Sequence, residues 1–201
     1  MGIIDDVRRA PVKKLVDERL NEFSGLGRKG NDEWFSELCF CILTANSRAR
    51  TAIAIQNELG AEGFLHKDID SVRSTIKRNK HRFHNNKARF VCGARKYSSI
   101  KDILMKEQEP REWLVKNITG LGYKEASHFL RNVGYTSYAI LDRHVLNIMA
   151  EGGIIERPRS LNKKTYLAIE AGLKGICDQL GMTQAELDLY LWYLKTGEVL
   201  K

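Results

Sequence analysis

Proline and long apolar runs are scarce in this chain of 201 residues. With only 3 prolines, its helices meet few obligatory breaks. The longest uncharged apolar stretch, Leu38 to Ala45, is far shorter than the ~20 residues that a membrane-spanning helix needs. The chain opens on Met-Gly-Ile-Ile-Asp-Asp rather than on a basic leader. We therefore expect a soluble, cytoplasmic protein with no membrane partner.

Cysteine is also rare, and its spacing excludes the common metal patterns. The 4 cysteines form neither a CxxC pair nor a Cys/His cluster, and they sit among apolar neighbours: Cys39, Cys41, Cys92 and Cys177. This setting favours reduced, buried thiols, so we predict no zinc or iron–sulphur site. Hydrophobic residues at 43% and charged residues at 29% exclude collagen, coiled coil and disorder.

Acidic residues are missing altogether between Asp70 and Asp102. That segment instead carries ten bases: Arg73, Lys77, Arg78, Lys80, Arg82, Lys87, Arg89, Arg95, Lys96 and Lys101. The formal net charge is +8, so the rest of the chain carries 8 − 10 = −2. A block of one sign favours an anionic partner, and the interleaved Phe83 and Phe90 favour nucleic acid over a membrane surface. A basic surface that only aids solubility is the alternative.

Strand-like alternation is absent, and the apolar spacing is helical nearly throughout, which predicts an all-α fold of roughly ten helices. Helix starts are predicted at Asp68 and Asn162 and at a capping box formed by Thr183 and Glu186. Helix ends are predicted at three glycines, Gly60, Gly134 and Gly181.

The segment Ile118-Thr119-Gly120-Leu121-Gly122-Tyr123-Lys124 lies between two helical patterns and predicts a helix-hairpin-helix over about residues 111–133. Gly120 and Gly122 allow a tight turn and leave backbone N–H groups open to a phosphate at the next helix N-terminus. Such contacts position a protein on DNA without reading its sequence. On its own, a GxG turn also commonly just ends a helix.

The run GLGYKEASHFLRNVG, together with AILDRHVL after it, resembles the signature of the helix-hairpin-helix DNA glycosylase superfamily. Within it, the chain is similar to the archaeal-type 8-oxoguanine DNA glycosylase/AP lyases, and the likeness extends to ELCFCILTANS and DLYLWYLKTGEVLK. The resemblance implies excision of 8-oxoguanine from double-stranded DNA and strand cleavage at the abasic site, without a cofactor. It also implies that Lys124 is the nucleophile and that Asp142 is its catalytic partner.

The chemistry of these two residue types agrees with that assignment. A free lysine, with a pKa of about 10.4, must lose its proton before it can attack a sugar C1′. A carboxylate can accept a proton and stabilise positive charge that develops on the deoxyribose. The plainer alternatives are a phosphate contact for Lys124 and a helix N-cap for Asp142.

Further site residues are expected around the flipped nucleotide. Phe83, with Arg82 beside it, is the candidate wedge into the duplex, and a core aromatic is its alternative. Asn46 matches a superfamily position near the vacated space, although a helix-terminal Asn would look the same. The resemblance assigns base recognition to Trp192, for which ordinary core packing is the alternative, and to the terminal carboxylate of Lys201. It also suggests a monovalent cation at three carbonyls of the hairpin: Lys116, Ile118 and Leu121.

The length fits one or two small domains. The resemblance predicts a helical domain over residues 32–136, and a second domain formed by 1–31 and 137–201, with the lesion pocket in the cleft. We expect a monomer. Two other functions stay open: an endonuclease III-like glycosylase for oxidised pyrimidines without an iron–sulphur cluster, and a non-catalytic helix-hairpin-helix DNA-binding module.

Overall fold

The computed structural model describes residues 11–201, and within them the chain forms eleven α-helices, one short 3-10 helix and no strand. The all-α prediction is confirmed. The helices are α1 (Val12–Gly27), α2 (Asn31–Thr44), α3 (Ala49–His66), α4 (Ile69–Arg78), α5 (His84–Ala94), α6 (Ile100–Leu104), α7 (Pro110–Asn117), α8 (Tyr123–Asn132), α9 (Arg143–Glu151), α10 (Lys163–Leu180) and α11 (Gln184–Thr196). The 3-10 turn spans Arg95–Tyr97.

One compact unit comprises Leu26–Phe129, and α2 is its central helix. Every residue of α2 from Trp34 to Thr44 is buried, because the run Leu-Cys-Phe-Cys-Ile-Leu is apolar on all sides and cannot face water. The Trp34 ring meets Phe129 of α8 edge-on, with centroids 6.0 Å apart. α2 therefore forms the core of this unit, and the surrounding helices pack against it.

The second compact unit combines residues 11–25 with Leu130–Lys201. The Tyr166 hydroxyl lies in its interior, where it donates to the Ala139 carbonyl at 2.7 Å and accepts from the Leu141 amide at 3.2 Å. These bonds hold the segment that leads into Asp142 and α9. The chain therefore divides at residues 25/26 and 129/130, whereas the resemblance places the borders at 32 and 136.

Most of the predicted helix signals act as expected. The side chains of Asp68, Asn162 and Thr183 each accept a backbone N–H from the first turn of their helices. Gly181 ends α10 in the left-handed conformation. The predicted stop at Gly60 is wrong: this residue, with φ 60° and ψ −176°, makes a kink inside α3, and the helix resumes as far as His66.

Candidate active site

The helix-hairpin-helix is formed by α7, the turn 118–122 and α8. Ile118 and Leu121 are buried, and the Leu121 amide donates to the Ile118 carbonyl at 3.3 Å. The two buried apolar side chains thus hold the turn in place just before the N-terminus of α8.

The two hairpin glycines serve different purposes. Gly120 has φ 94°, and a Cβ placed on it would lie 2.6 Å from Cδ2 of Phe90 on α5. Gly122 has no positive φ, and its Cβ would meet only Glu125 Oε2, at an ordinary 3.4 Å. The turn therefore needs glycine at 120 for its conformation, whereas position 122 has room for a small side chain.

Lys124 lies in the first turn of α8, with about a third of its side chain exposed. Its Nζ is 3.3 Å from Oε1 of Glu125, whose side chain is 14% exposed. The other oxygen of Glu125 accepts the Gly122 amide at 3.3 Å. The spacing of Gly122 and Glu125, three residues, is that of a helix N-terminal capping pair, a signal that the sequence analysis overlooked.

Lys87 lies in the same unit as Lys124. The sequence analysis counted it among the bases that would face an anionic partner, and this prediction is wrong. Lys87 is only 4% exposed, and its Nζ donates to the carbonyl of Ile42 on α2. Burial lowers the pKa of Lys87 to about 8; the Glu125 carboxylate opposes this shift and the Lys124 ammonium adds to it.

Most of the other bases of the basic segment do face water. Six are exposed: Lys77, Arg78, Lys80, Arg82, Arg89 and Lys96. Three more are half-buried, and two of these donate to backbone carbonyls: Arg95 to Phe64 and Lys67, and Lys101 to Lys29. The positive surface is thus formed by fewer bases than the ten that the sequence suggested.

Arg82 and Phe83 lie together just before α5. The Arg82 guanidinium is 4.4 Å from the centroid of the Phe83 ring, and the Phe83 amide donates to Nδ1 of His81 at 3.2 Å. Phe83 is half-buried, so the alternative of a core aromatic does not hold. A partly exposed aromatic ring paired with a cation has the chemistry to stack on a base.

Asn46 is exposed and comes just after the end of α2, with φ 60°. This is the left-handed position after a helix, which Asn adopts more readily than other non-glycine residues. Its conformation therefore fits the helix-terminal interpretation. Its side chain is also exposed, so it is accessible for a contact with DNA. That contact stays a prediction.

Asp142 belongs to the other unit, where it caps α9. Its Oδ1 accepts the amides of His144 and Val145, both at 2.8 Å. The N-cap interpretation is therefore correct, and it leaves the second carboxylate oxygen and the half-buried position compatible with a chemical role.

Trp192 of α11 lies in the same unit as Asp142. Its ring meets that of His144 edge-on, with centroids 5.7 Å apart. The indole Nε1 is buried and has no hydrogen-bond partner among the described residues. A buried donor left without a partner is costly in a folded protein and suits a site that a ligand completes.

The C-terminal tail after α11 is held to its own unit. Gly197 ends the helix with φ 73°, and the Arg19 guanidinium of α1 donates to the Val199 carbonyl at 3.3 Å. Lys201 is half-buried at the end of this tail.

Of the three carbonyls suggested for a monovalent cation, that of Ile118 accepts the Leu121 amide, and the cation itself stays a prediction.

Residues 11–201 contain neither a cluster of metal ligands nor a membrane span. No group of three or more His, Cys, Asp or Glu side chains is arranged to hold a metal ion there. No helix in that range is long and apolar enough to cross a membrane. The cysteines are free, and burial raises the pKa of Cys39 well above its ordinary value and that of Cys177 to about 11.

Comparisons with known proteins point to one family. A family model described as 8-oxoguanine DNA glycosylase matches residues 16–182. An 8-oxoguanine DNA glycosylase/AP lyase of Methanocaldococcus jannaschii is 46% identical over 98% of this chain and 97% of its own length. One of Aquifex aeolicus is 39% identical over the full length of both chains.

Solved structures agree with this relationship. The M. jannaschii 8-oxoguanine glycosylase/lyase in complex with 15mer DNA containing 8-oxoguanine superposes with a TM-score of 0.96 at 45% identity, covering 100% of this chain and 98% of that one. The 8-oxoguanine DNA glycosylase of Thermotoga maritima gives a TM-score of 0.92 at 39% identity, covering 98% and 96%. The chain with the Gly120–Lys124 hairpin therefore belongs to the 8-oxoguanine DNA glycosylase family.

Proposed function

We propose that this protein removes 8-oxoguanine from duplex DNA and cleaves the strand at the resulting abasic site, with Lys124 as the nucleophile. The observation that carries the proposal is the position of Lys124: it lies in the first turn after the hairpin, partly open to solvent. A lysine nucleophile must be accessible to the sugar, and it must lose its proton before it attacks. Glu125 lies within ion-pairing distance.

In the proposed reaction the unprotonated Nζ of Lys124 forms a bond to the sugar C1′. The bond from C1′ to the base breaks, and its electron pair leaves with the base, which takes up a proton. Opening of the sugar ring then gives an iminium between Lys124 and C1′. The iminium makes the C2′ hydrogen acidic, so that loss of this proton expels the 3′ phosphate by β-elimination.

Asp142 is assigned to this reaction from the family resemblance. A carboxylate at the sugar stabilises the positive charge that develops while the base departs, and it can accept a proton. The helix cap supports such a role, because two backbone N–H groups hold Oδ1 in a fixed orientation. Preorganised charge of this kind needs no rearrangement during the reaction.

The exposed bases on and around α4 and α5 supply the affinity for DNA in this proposal. Contacts of lysine and arginine with phosphates release counterions, so we expect the affinity to fall steeply with salt. Arg82 and Phe83 are assigned to the gap left by the flipped nucleotide, and Asn46 to its surroundings. We propose that the protein acts as a monomer on the DNA of the cytoplasm.

Recognition of the damaged base is assigned to Trp192 and to the carboxylate of Lys201. Oxidation at C8 turns the N7 acceptor of guanine into an N–H donor, so that discrimination requires an acceptor in the pocket. The unpartnered Nε1–H of Trp192 supports a ligand at this place, because a polar base supplies acceptors for it.

The test is borohydride trapping with duplexes that contain 8-oxoguanine, thymine glycol or an abasic site. We expect a covalent complex with the first and third duplexes and none after Lys124→Gln. Trapping on thymine glycol instead would support the endonuclease III-like alternative. No trapping on any duplex, with DNA binding intact, would support the non-catalytic module, and full trapping by Lys124→Gln would refute the assigned nucleophile.

A further inference from the structure

The buried lysine of α5 takes no part in the proposed base excision and strand cleavage. Lys87 is almost completely enclosed, and its Nζ bonds the Ile42 carbonyl near the end of α2. A lysine is rarely enclosed in this way, since removing an ammonium group from water is expensive. A methionine or leucine would fill the same space without the free-energy cost of burying a charge. A charge at this position therefore needs a functional explanation.

The hairpin lies directly against the helix that carries Lys87. Gly120 approaches Phe90 so closely that a single added carbon would clash. Phe90 is one helical turn beyond Lys87 on α5, so the two residues lie on the same side of that helix. The face of α5 that bears Lys87 is therefore the face packed against the turn that leads into Lys124.

Three charges are collected at this contact. Lys124 pairs with Glu125, and both groups act electrostatically on Lys87. His81, which precedes α5, is a further titratable neighbour: burial lowers its pKa, its bond to the Leu43 carbonyl opposes this shift, and the charges of Lys87 and His84 add to it. The cluster thus has two lysines and a single carboxylate in partly dehydrated surroundings, where charges interact more strongly than in water.

We propose that Lys87 is a positioning residue for the lyase reaction, whose buried ammonium competes with Lys124 for Glu125 and so favours release of the proton from the Lys124 amine. Without Lys87, the full charge of Glu125 would act on Lys124 and hold its proton in place. A neighbouring cation is a recognised means of activating a lysine nucleophile. The inference rests on the proposed function, because it assumes that Lys124 attacks the sugar.

The experiment compares single-turnover cleavage of an abasic-site duplex by four proteins across about pH 6 to about pH 10. These are the wild type, Lys87→Gln, Lys87→Arg and Glu125→Gln. The Gln variant keeps a donor for the Ile42 carbonyl but loses the charge. The Arg variant keeps the charge, and Glu125→Gln removes the attraction for which both lysines compete.

We expect Lys87→Gln to need a pH higher by about half a unit for its half-maximal rate, which makes it about threefold slower near neutral pH and equal to the wild type at high pH. Lys87→Arg, which stays charged throughout this range, should place the midpoint at or below that of the wild type. Glu125→Gln should displace the profile in the opposite direction, towards lower pH. If Lys87→Gln fails to fold, Lys87→Met, which fills the same space without a charge, takes its place in the comparison.

A role limited to packing predicts another pattern. Lys87→Gln would then be slower by the same factor at every pH, with an unmoved midpoint, and this result would overturn the inference. Failure of the proposed function looks different again, because the wild type itself would give no borohydride adduct. Wild-type trapping with an unmoved midpoint in Lys87→Gln rejects the role of Lys87 alone.

Discussion

Replacing Gly120 with alanine should damage the hairpin far more than the same change at Gly122. Alanine at 120 must adopt φ 94°, and its Cβ would lie 2.6 Å from the Phe90 ring. A left-handed conformation costs a non-glycine residue about 1–2 kcal/mol, and overpacking of this kind costs about 1–3 kcal/mol. We therefore expect the free energy of unfolding to fall by about 2–5 kcal/mol.

Gly122→Ala is the matched control for this prediction. The new methyl group meets only the end of a flexible Glu125 side chain at 3.4 Å, so the stability should change by less than about 0.5 kcal/mol. The same methyl group projects at the N-terminus of α8, where the hairpin motif is expected to meet a DNA phosphate, so weaker DNA binding is expected without unfolding. Gly120→Ala should lose stability and binding together.

The measurements are urea unfolding monitored by circular dichroism, and fluorescence anisotropy with an abasic-site duplex. Combining Gly120→Ala with Phe90→Ala should recover the steric part of the loss but not the conformational part. Unfolding of Gly120→Ala and Gly122→Ala at the same urea concentration would refute the proposed difference between the two glycines. A Gly120 variant that gains nothing when Phe90 is trimmed would refute the steric contact.

The caps, the buried lysine and the tail each give a further prediction. Asp142→Asn should keep the helix cap and change stability little, as should the matched Asp68→Asn, but only the former should abolish borohydride trapping; trapping at the wild-type level would remove Asp142 from the mechanism. Lys87 has a pKa of about 8 when folded against 10.5 in its ordinary state, so the unfolded chain binds more protons between these values. The stability of the wild type relative to Lys87→Gln should thus rise from pH 8 to pH 10.5, by up to about 3 kcal/mol, in urea titrations, and a flat difference would contradict the shift. Residues appended after Lys201 should depress 8-oxoguanine excision far more than cleavage of a ready-made abasic site in gel assays, and equal losses would contradict a role of the tail in base recognition.

The local signals of the sequence were sufficient where a helix begins on a side-chain cap, because a cap is decided within one turn. Asp68, Asn162 and Thr183 begin helices through bonds to amides two or three residues away. The predicted helix end at Gly60 was wrong, since a glycine permits a helix to end without requiring it. The helix resumes beyond the Gly60 kink because of packing that the local pattern does not contain.

The site could be predicted where the motif is local and not where it depends on the tertiary fold. The hairpin turn and the cap at Asp142 are decided by neighbouring residues, and both are formed. Lys87 resembles one more surface base, since nothing in its sequence neighbours indicates that a carbonyl of α2, 45 residues earlier, receives its ammonium. Long-range partners of this kind are invisible to spacing rules.

The division of the chain also has a consequence for its synthesis. The unit of residues 26–129 is continuous, so every contact inside it is available as soon as that stretch has left the ribosome. Residues 11–25 emerge earlier, yet their partners begin at Leu130 and extend to the tail, where Arg19 meets Val199. Because translation runs from the N-terminus, α1 is made before the residues from Leu130 to Val199 that share its unit. A chain terminated after Phe129 would carry the hairpin and Lys124 but lack Trp192 and Lys201, to which we assign recognition of the lesion.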